Sequence, residues 1–307
     1  MPKPILIGVD DSPAALRAAA LAYDIARAAE FDCRPMHAVP DLWRSAGVPE
    51  LPLPTEDLTD QLVSDARTRI ARLLESVVPP HVAHGLEVRV GRAGPVLARA
   101  ANESGAALVA VGGKHHGTLA RAFGGSTAHY LLHTLDVPML VAGAEAKRVR
   151  RILVAVDLSY ATAPALATAR RLASWLGARL RVLHAVEPVL IPVEVPVTVD
   201  QEELVRRSRA AYDELVTDQL GLSPEDRVIK SGPAAETIAA EAAAFDADLV
   251  VLGSHGKGWV DRLLVGSVTE DLVSVLPTSL VVVPVSPFKR RGAARRQPSA
   301  QLEGVAR

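Results

Sequence analysis

The chain repeats itself. Ile5-Leu-Ile-Gly-Val-Asp10-Asp-Ser12 returns 147 residues later as Ile152-Leu-Val-Ala-Val-Asp157-Leu-Ser159, and His37-Ala-Val39 returns at the same offset as His184-Ala-Val186. Leu108-Val-Ala-Val-Gly112 returns as Leu249-Val-Val-Leu-Gly253 at an offset of 141. Displacements of this length mark one domain written twice, and that constrains the fold before any single element is read. The contraction by six is expected in the proline-rich stretch after the second strand of each copy, 40–54 against 187–199, where a loop absorbs a length change cheaply. At 307 residues, each copy is long enough to bury its own core.

Apolar runs at 5–9, 108–111 and 138–142, and again at 152–156, 249–252 and 279–283, lack polar alternation. Strands buried on both faces read this way, and the alanine-rich segments of helical period between them predict parallel βαβ units. Asp11-Ser12-Pro13 and the stretch from Ser159 to Pro164 supply helix-start chemistry, while Leu58, Leu62, Ile70, Leu73 and Val77 mark the apolar face of a second helix. The expected fold is therefore α/β: two tandem open, doubly wound parallel sheets of Rossmann-like type over 1–143 and 152–285. A charged linker at 144–151 joins them, and a basic tail follows at 286–307.

Composition narrows the function classes. Apolar residues make up 49% of the chain with only 4% aromatic, so the core is aliphatic and alanine-based and the chain is not a disordered one. No apolar stretch approaches the roughly 18 residues of a membrane span, and Ile5–Val9 follows Met1 with no cleavable apolar region. A single cysteine, Cys33, fits a reducing compartment, so a soluble cytoplasmic protein is expected. The net charge of −1 conceals a tail carrying Lys289, Arg290, Arg291, Arg295, Arg296 and Arg307 against Glu303. The body is correspondingly acidic and lacks aromatic–basic interleaving, which disfavours nucleic acid and leaves the tail as a disordered extension.

Ligands of open parallel sheets sit beyond the carboxyl ends of the strands, where strand order reverses. Asp157 ends the first strand of the second copy, where its carboxylate can accept from an exocyclic amine or a ribose hydroxyl, or cap the next helix. Gly253-Ser254-His255-Gly256-Lys257-Gly258 ends the fourth strand, and Gly266-Ser267-Val268 follows. Gly253 and Gly256 can reach positive φ and turn backbone amides inward as an anion nest. Gly266-Ser267 opens a helix whose free amides favour a polyphosphate, though Ser267 with Glu270 also fits a capping box. His255 and Lys257 stand within reach of phosphates or are simply solvated.

Similar motifs fail on context. A dinucleotide fingerprint needs glycines after the first strand, where Asp157-Leu-Ser159 stands, and a Walker loop needs a glycine where Val251 stands. Adjacent His115 and His116 cannot share a face around zinc, so no metal site is expected. His37 and His184, beside apolar residues, read as structural groups.

The strand-Val-Asp-x-Ser opening, Gly-x2-Gly-x9-Gly-Ser and the apolar strand after the last helix resemble the universal stress protein family, in tandem form, over about residues 3–285. The resemblance implies five-stranded sheets of the adenine nucleotide alpha hydrolase type. It places Asp157 and the backbone near Val186 at an adenine, and the glycine loop with Gly266-Ser267 at ribose and phosphates. The implied ligand is ATP, or ADP or AMP, with Mg²⁺ as an optional companion. The implied partners are the final strands of the two copies, paired within one chain, with room for a homodimer. In the first copy the matching positions are Gly8, Asp10, Val39, Gly112, Gly113, Gly117, Gly125 and Ser126, but His115 replaces the middle glycine. A Cβ there resists left-handed φ and the imidazole projects toward the phosphate, so the first site is expected to be the weaker. The expected role is a stress-response or regulatory nucleotide binder. No general base or Mg²⁺-holding carboxylate pair accompanies the loop, which limits an enzyme reading to slow ATP hydrolysis; a nucleotide-free interaction scaffold is the third class.

Overall fold

A computed structural model describes residues 3–41, 55–113, 126–144, 148–187, 201–220, 222–254, 266–275 and 278–284, and every structural statement below concerns these residues. The first repeat runs β1 (Ile5–Gly8), α1 (Pro13–Ala29), β2 (Cys33–Val39), α2 (Thr55–Leu74), α3 (Pro80–His84), β3 (Glu87–Val90), α4 (Ala93–Ser104), β4 (Leu108–Gly112), α5 (Ser126–Thr134) and β5 (Met139–Ala142). The second runs β6 (Arg151–Val156), α6 (Thr162–Leu176), β7 (Arg179–Val186), α7 (Gln201–Leu220), β8 (Arg227–Ser231), α8 (Ala234–Ala244), β9 (Leu249–Gly253), α9 (Ser267–Val275) and β10 (Ser279–Val283).

The two five-stranded sheets are halves of one ten-stranded sheet, ordered β3-β2-β1-β4-β5-β10-β9-β6-β7-β8. Pairings within each half are parallel, as apolar runs buried on both faces require. The seam is antiparallel, pairing Leu280 with Val141, Val281 with Leu140 and Val282 with Met139. Two edges that would otherwise expose unpaired amides and carbonyls thereby satisfy each other. The buried Ser279 hydroxyl accepts from the Gly143 amide at 3.1 Å beside the seam, and Phe31 of the first half meets Trp175 of the second edge to face with centroids 5.5 Å apart, so side chains also join the halves. Two apolar layers, one on each face of the sheet, include residues from both halves: Ile5, Ile7, Ile152 and Val154 in one, Leu6, Val109, Leu153 and Val250 in the other. Within the charged linker, Val149 is buried between exposed Arg148 and Arg150.

Three local expectations change. The contraction of the second copy lies after α2 rather than before it: α2 and α7 begin at an offset of 146, β3 and β8 at an offset of 140. The buried face of α2 is Ala66, Ile70 and Leu74, while Leu58 is 43% exposed and, with Leu62, lines an open recess beside Val39, Pro40 and Val90. The first turns of α2 border that recess at the carboxyl ends of β2 and β3, so the apolar stripe turns from core to recess along the helix. At the start of α1, Ser12 caps as expected, its Oγ accepting from the Ala15 amide at 3.2 Å. Ser159 supplies the approach to α6 rather than its N-cap, which is Ala161: its Oγ accepts from the Ala161 amide and its carbonyl from the Thr162 amide, each at 3.1 Å, with Pro164 in the first turn.

Cys33 opens β2, and burial pushes its thiol up to about 12. Relative to an ordinary thiol, its thiolate fraction at neutral pH falls about a thousandfold. A disulfide reagent is expected to label the native protein at least a hundredfold more slowly than the denatured chain, roughly; equal rates would contradict this environment.

Candidate functional site

Strand order reverses between β1 and β4 in the first half and between β6 and β9 in the second. These are the points where ligands of open sheets sit. At the second, β6 ends in a sharp turn with Leu158 at φ 58°, a left-handed conformation that is costly for a branched side chain. The turn folds Ser159 back on Asp157. Asp157 Oδ1 accepts from the Ser159 amide at 3.0 Å, from Ser159 Oγ at 2.7 Å and from Thr162 Oγ1 at 3.4 Å. Asp157 Oδ2 is buried with no hydrogen-bond partner among the described residues. Oδ1 therefore organises the turn ahead of α6 without capping the helix, and Oδ2 takes no part in it.

The first half is built differently. Asp10 is exposed, and its Oδ1 accepts only from the Ser12 amide, at 2.9 Å, while the Ser12 hydroxyl serves the helix. Asp11, at the repeat position of Leu158, does not have positive φ.

The base of the glycine loop in the second half is clamped. The Ser254 amide donates to the Val283 carbonyl at 2.9 Å, and the Gly266 amide donates to the Ser254 carbonyl at 3.0 Å, which ties together the two ends of segment 255–265. Thr269, buried in the first turn of α9, adds a bond from its Oγ1 to the Gly253 carbonyl at 3.2 Å. The Ser254 and Gly266 amides are thus already used, which leaves those of Ser267 and Val268 at the helix start for an anion. Ser267 is the first helical residue, with Gly266 before it accepting from the Thr269 and Glu270 amides; the expected capping box does not form around the Ser267 side chain. His255, Gly256, Lys257 and Gly258 lie outside the described residues, as do Gly117 and Gly125.

The glycine reading needs correction at Gly253, and its counterpart Gly112 behaves alike. Gly112 and Gly253 close their strands without positive φ, paired with Ala142 and Val283. At Gly112 the constraint is space: a Cβ would stand 2.6 Å from the backbone of Ala14 and Ala15. Gly113 repeats the Ser254 bond, its amide donating to Ala142 at 3.0 Å. At Gly8 a Cβ would press on the Leu97 and Val111 side chains. Ser126 opens α5 as Ser267 opens α9.

Gly91 and Gly232 were not anticipated. At φ 139° and 148° they turn the chain after β3 and β8, and their amides donate to Val39 and Val186 at 2.8 and 3.1 Å. The Val39 and Val186 carbonyls therefore keep one lone pair each for a ligand. His37 and His184 are structural, each with Nδ1 on a carbonyl of the neighbouring first strand, Val9 at 2.7 Å and Val156 at 2.8 Å. A carbonyl only accepts, so Nδ1 carries the proton in both.

Comparison with known proteins agrees with the repeat. The model of the universal stress protein family matches residues 1–143 and again 148–284. The chain belongs to the universal stress protein family. A single-domain universal stress protein of Thermus aquaticus is 34% identical over 137 residues, covering 44% of this chain and 98% of that one. A universal stress protein of Mycobacterium tuberculosis is 29% identical over 294 residues, covering 91% and 95%. The crystal structure of a universal stress protein from Archaeoglobus fulgidus superposes with a TM-score of 0.64 at 17% identity over 92% of this chain and 98% of that chain, a likeness of fold. No helix among the described residues is long and apolar enough to cross a membrane.

Proposed function

We propose that this universal stress protein binds an adenine nucleotide, ATP or its di- or monophosphate, at the carboxyl edge of β6 and β9, and acts as a cytoplasmic stress-response or regulatory module. The observation that carries the reading is the orphaned Asp157 Oδ2. A buried charged acceptor without a donor costs about 1–3 kcal/mol or more, and the amine or hydroxyl edge of a nucleoside removes that cost. The free amides at the start of α9 supply the matching feature for phosphates, with no cationic side chain required among the described residues. Residues 1–143 and 152–285 act as two unequal units. The first offers an exposed Asp10 and Ala128 where the second has Thr269, in addition to His115 at the middle glycine.

Nucleotide-free full-length protein titrated with ATP, ADP and AMP is expected to show one dominant site with a Kd of about 1–100 µM. Failure of all three to bind at about 1 mM would overturn the proposal and leave the scaffold reading. Mg²⁺ included in the same titration reports whether the ion contributes.

A further inference from the structure

We propose that His129, His133 and Glu270 form a site for a zinc-class divalent cation that clamps the two halves of the chain together. His129 and His133 are four residues apart on α5 and therefore share a face. Their rings meet with centroids 4.6 Å apart. Glu270 comes from α9, across the β5–β10 seam, and its Oε1 stands 3.6 Å from His133 Nε2. One ligand atom from each of the three residues lies within 4.8 Å of the others. Tetrahedral zinc, with bonds of about 2.0–2.2 Å, separates its ligand atoms by roughly 3.4 Å. The His133–Glu270 pair is already near that spacing. The remaining contraction falls to the side chains of His129, which is exposed, and Glu270, which is 44% exposed.

The donor set selects the ion. Two imidazoles and one carboxylate suit zinc and its borderline neighbours, whereas Mg²⁺ and Ca²⁺ demand oxygen. Three protein ligands leave a fourth position for water. The repeat also explains why the site occurs at one place. An offset of 141 puts Glu270 at the position of His129 and Ser274 at that of His133, so the mirrored pair across the seam is Ser274 with His129. Divergence of the two copies has created a mixed donor set that neither half holds alone. With two ligands from one half and one from the other, cation binding stabilises the paired state by mass action.

The test uses metal-stripped, nucleotide-free full-length protein titrated with Zn²⁺ alone, so its outcome is independent of the nucleotide reading. One zinc per chain is expected, with a Kd of about 10 µM or tighter. His133→Ala and Glu270→Gln should each weaken it at least tenfold, roughly. Zn²⁺ should raise the thermal midpoint of the parent protein and leave that of His133→Ala unmoved. His129→Ala, at an exposed position, provides a variant whose folding is not in question. Absence of binding at about 100 µM Zn²⁺, or binding of unchanged affinity in the His129→Ala/His133→Ala double variant, overturns the proposal. Displacement of the zinc by equimolar Mg²⁺ does so too.

Discussion

Asp157→Asn is expected to weaken adenine-nucleotide binding by about 10- to 150-fold, the loss of a charge-assisted hydrogen bond worth about 1.5–3 kcal/mol, while folding stability stays the same or rises. The two effects separate because the two carboxylate oxygens do different work. Oδ1 receives Ser159 and Thr162, and the amide oxygen of asparagine can keep those bonds. Oδ2 has no partner, and asparagine replaces it with a donor that faces the ligand's own donors. The free protein loses an unsatisfied charge; the complex loses its acceptor. Asp10→Asn serves as the control within the same chain. Asp10 is exposed and tied only to the Ser12 amide, so its replacement should change affinity less than about threefold. Calorimetric titration and urea denaturation of both variants check this. If Asp157→Asn destabilises the fold and leaves affinity intact, the carboxylate only organises the turn.

β1, β4 and β5 and their counterparts β6, β9 and β10 follow from uninterrupted apolar runs separated by helical segments, whereas β3 (Glu87–Val90) and β8 (Arg227–Ser231) mix polar and apolar residues and carry no such signal. The joining of two sheets into one was open only to the family resemblance, since the runs 138–142 and 279–283 look the same whether their outer edge meets solvent, another chain or each other. Site details were less legible wherever they depend on which atom faces which. Thr269 reads as an ordinary helix residue, and only its burial against the Gly253 carbonyl makes it part of the loop's base. A buried hydroxyl two residues after Gly-Ser, where the first copy has Ala128, was the available signal. The positive φ expected of Gly253 is not found for a related reason: a glycine kept for room, as at its counterpart Gly112, and one kept for positive φ are identical in sequence. His129 and His133 passed unnoticed because their third partner lies in the other half of the chain.

The largest stability effect is expected from Glu241→Ala, about 3–5 kcal/mol of destabilisation at neutral pH. Glu241 sits on α8 with its side chain 4% exposed, and accepts from Arg181 Nη1 at 2.9 Å while Lys230 Nζ lies at 2.5 Å. Arg181 in turn reaches Asp226 at 3.3 Å and lies over the Phe245 ring at 4.1 Å. Truncation leaves Arg181 desolvated with only the Asp226 carboxylate, which it shares with Arg179, and removing one member of a buried pair costs more than the pair is worth. The first copy shows the apolar alternative. Ala100 occupies the position of Glu241 and Ser104 that of Phe245, and there Ala100 is buried in the core. An Arg181→Leu/Glu241→Leu double variant should accordingly recover most of the loss, to within about 1–2 kcal/mol of the parent. The same network sets the acid limb of stability. Burial pushes the Glu241 carboxyl up, but hydrogen bonds from Lys230 and Arg181 outweigh it and hold the group below its ordinary value; Asp226, held chiefly by Arg179, behaves likewise. Folded carboxylates that protonate less readily than unfolded ones contribute stability above the ordinary carboxylate range, and lose it as pH falls through that range to their depressed values. Urea midpoints at pH 7 and near pH 3 should therefore fall further apart in the parent than in the double variant; an equal decline would remove Glu241 and Arg181 from the acid response.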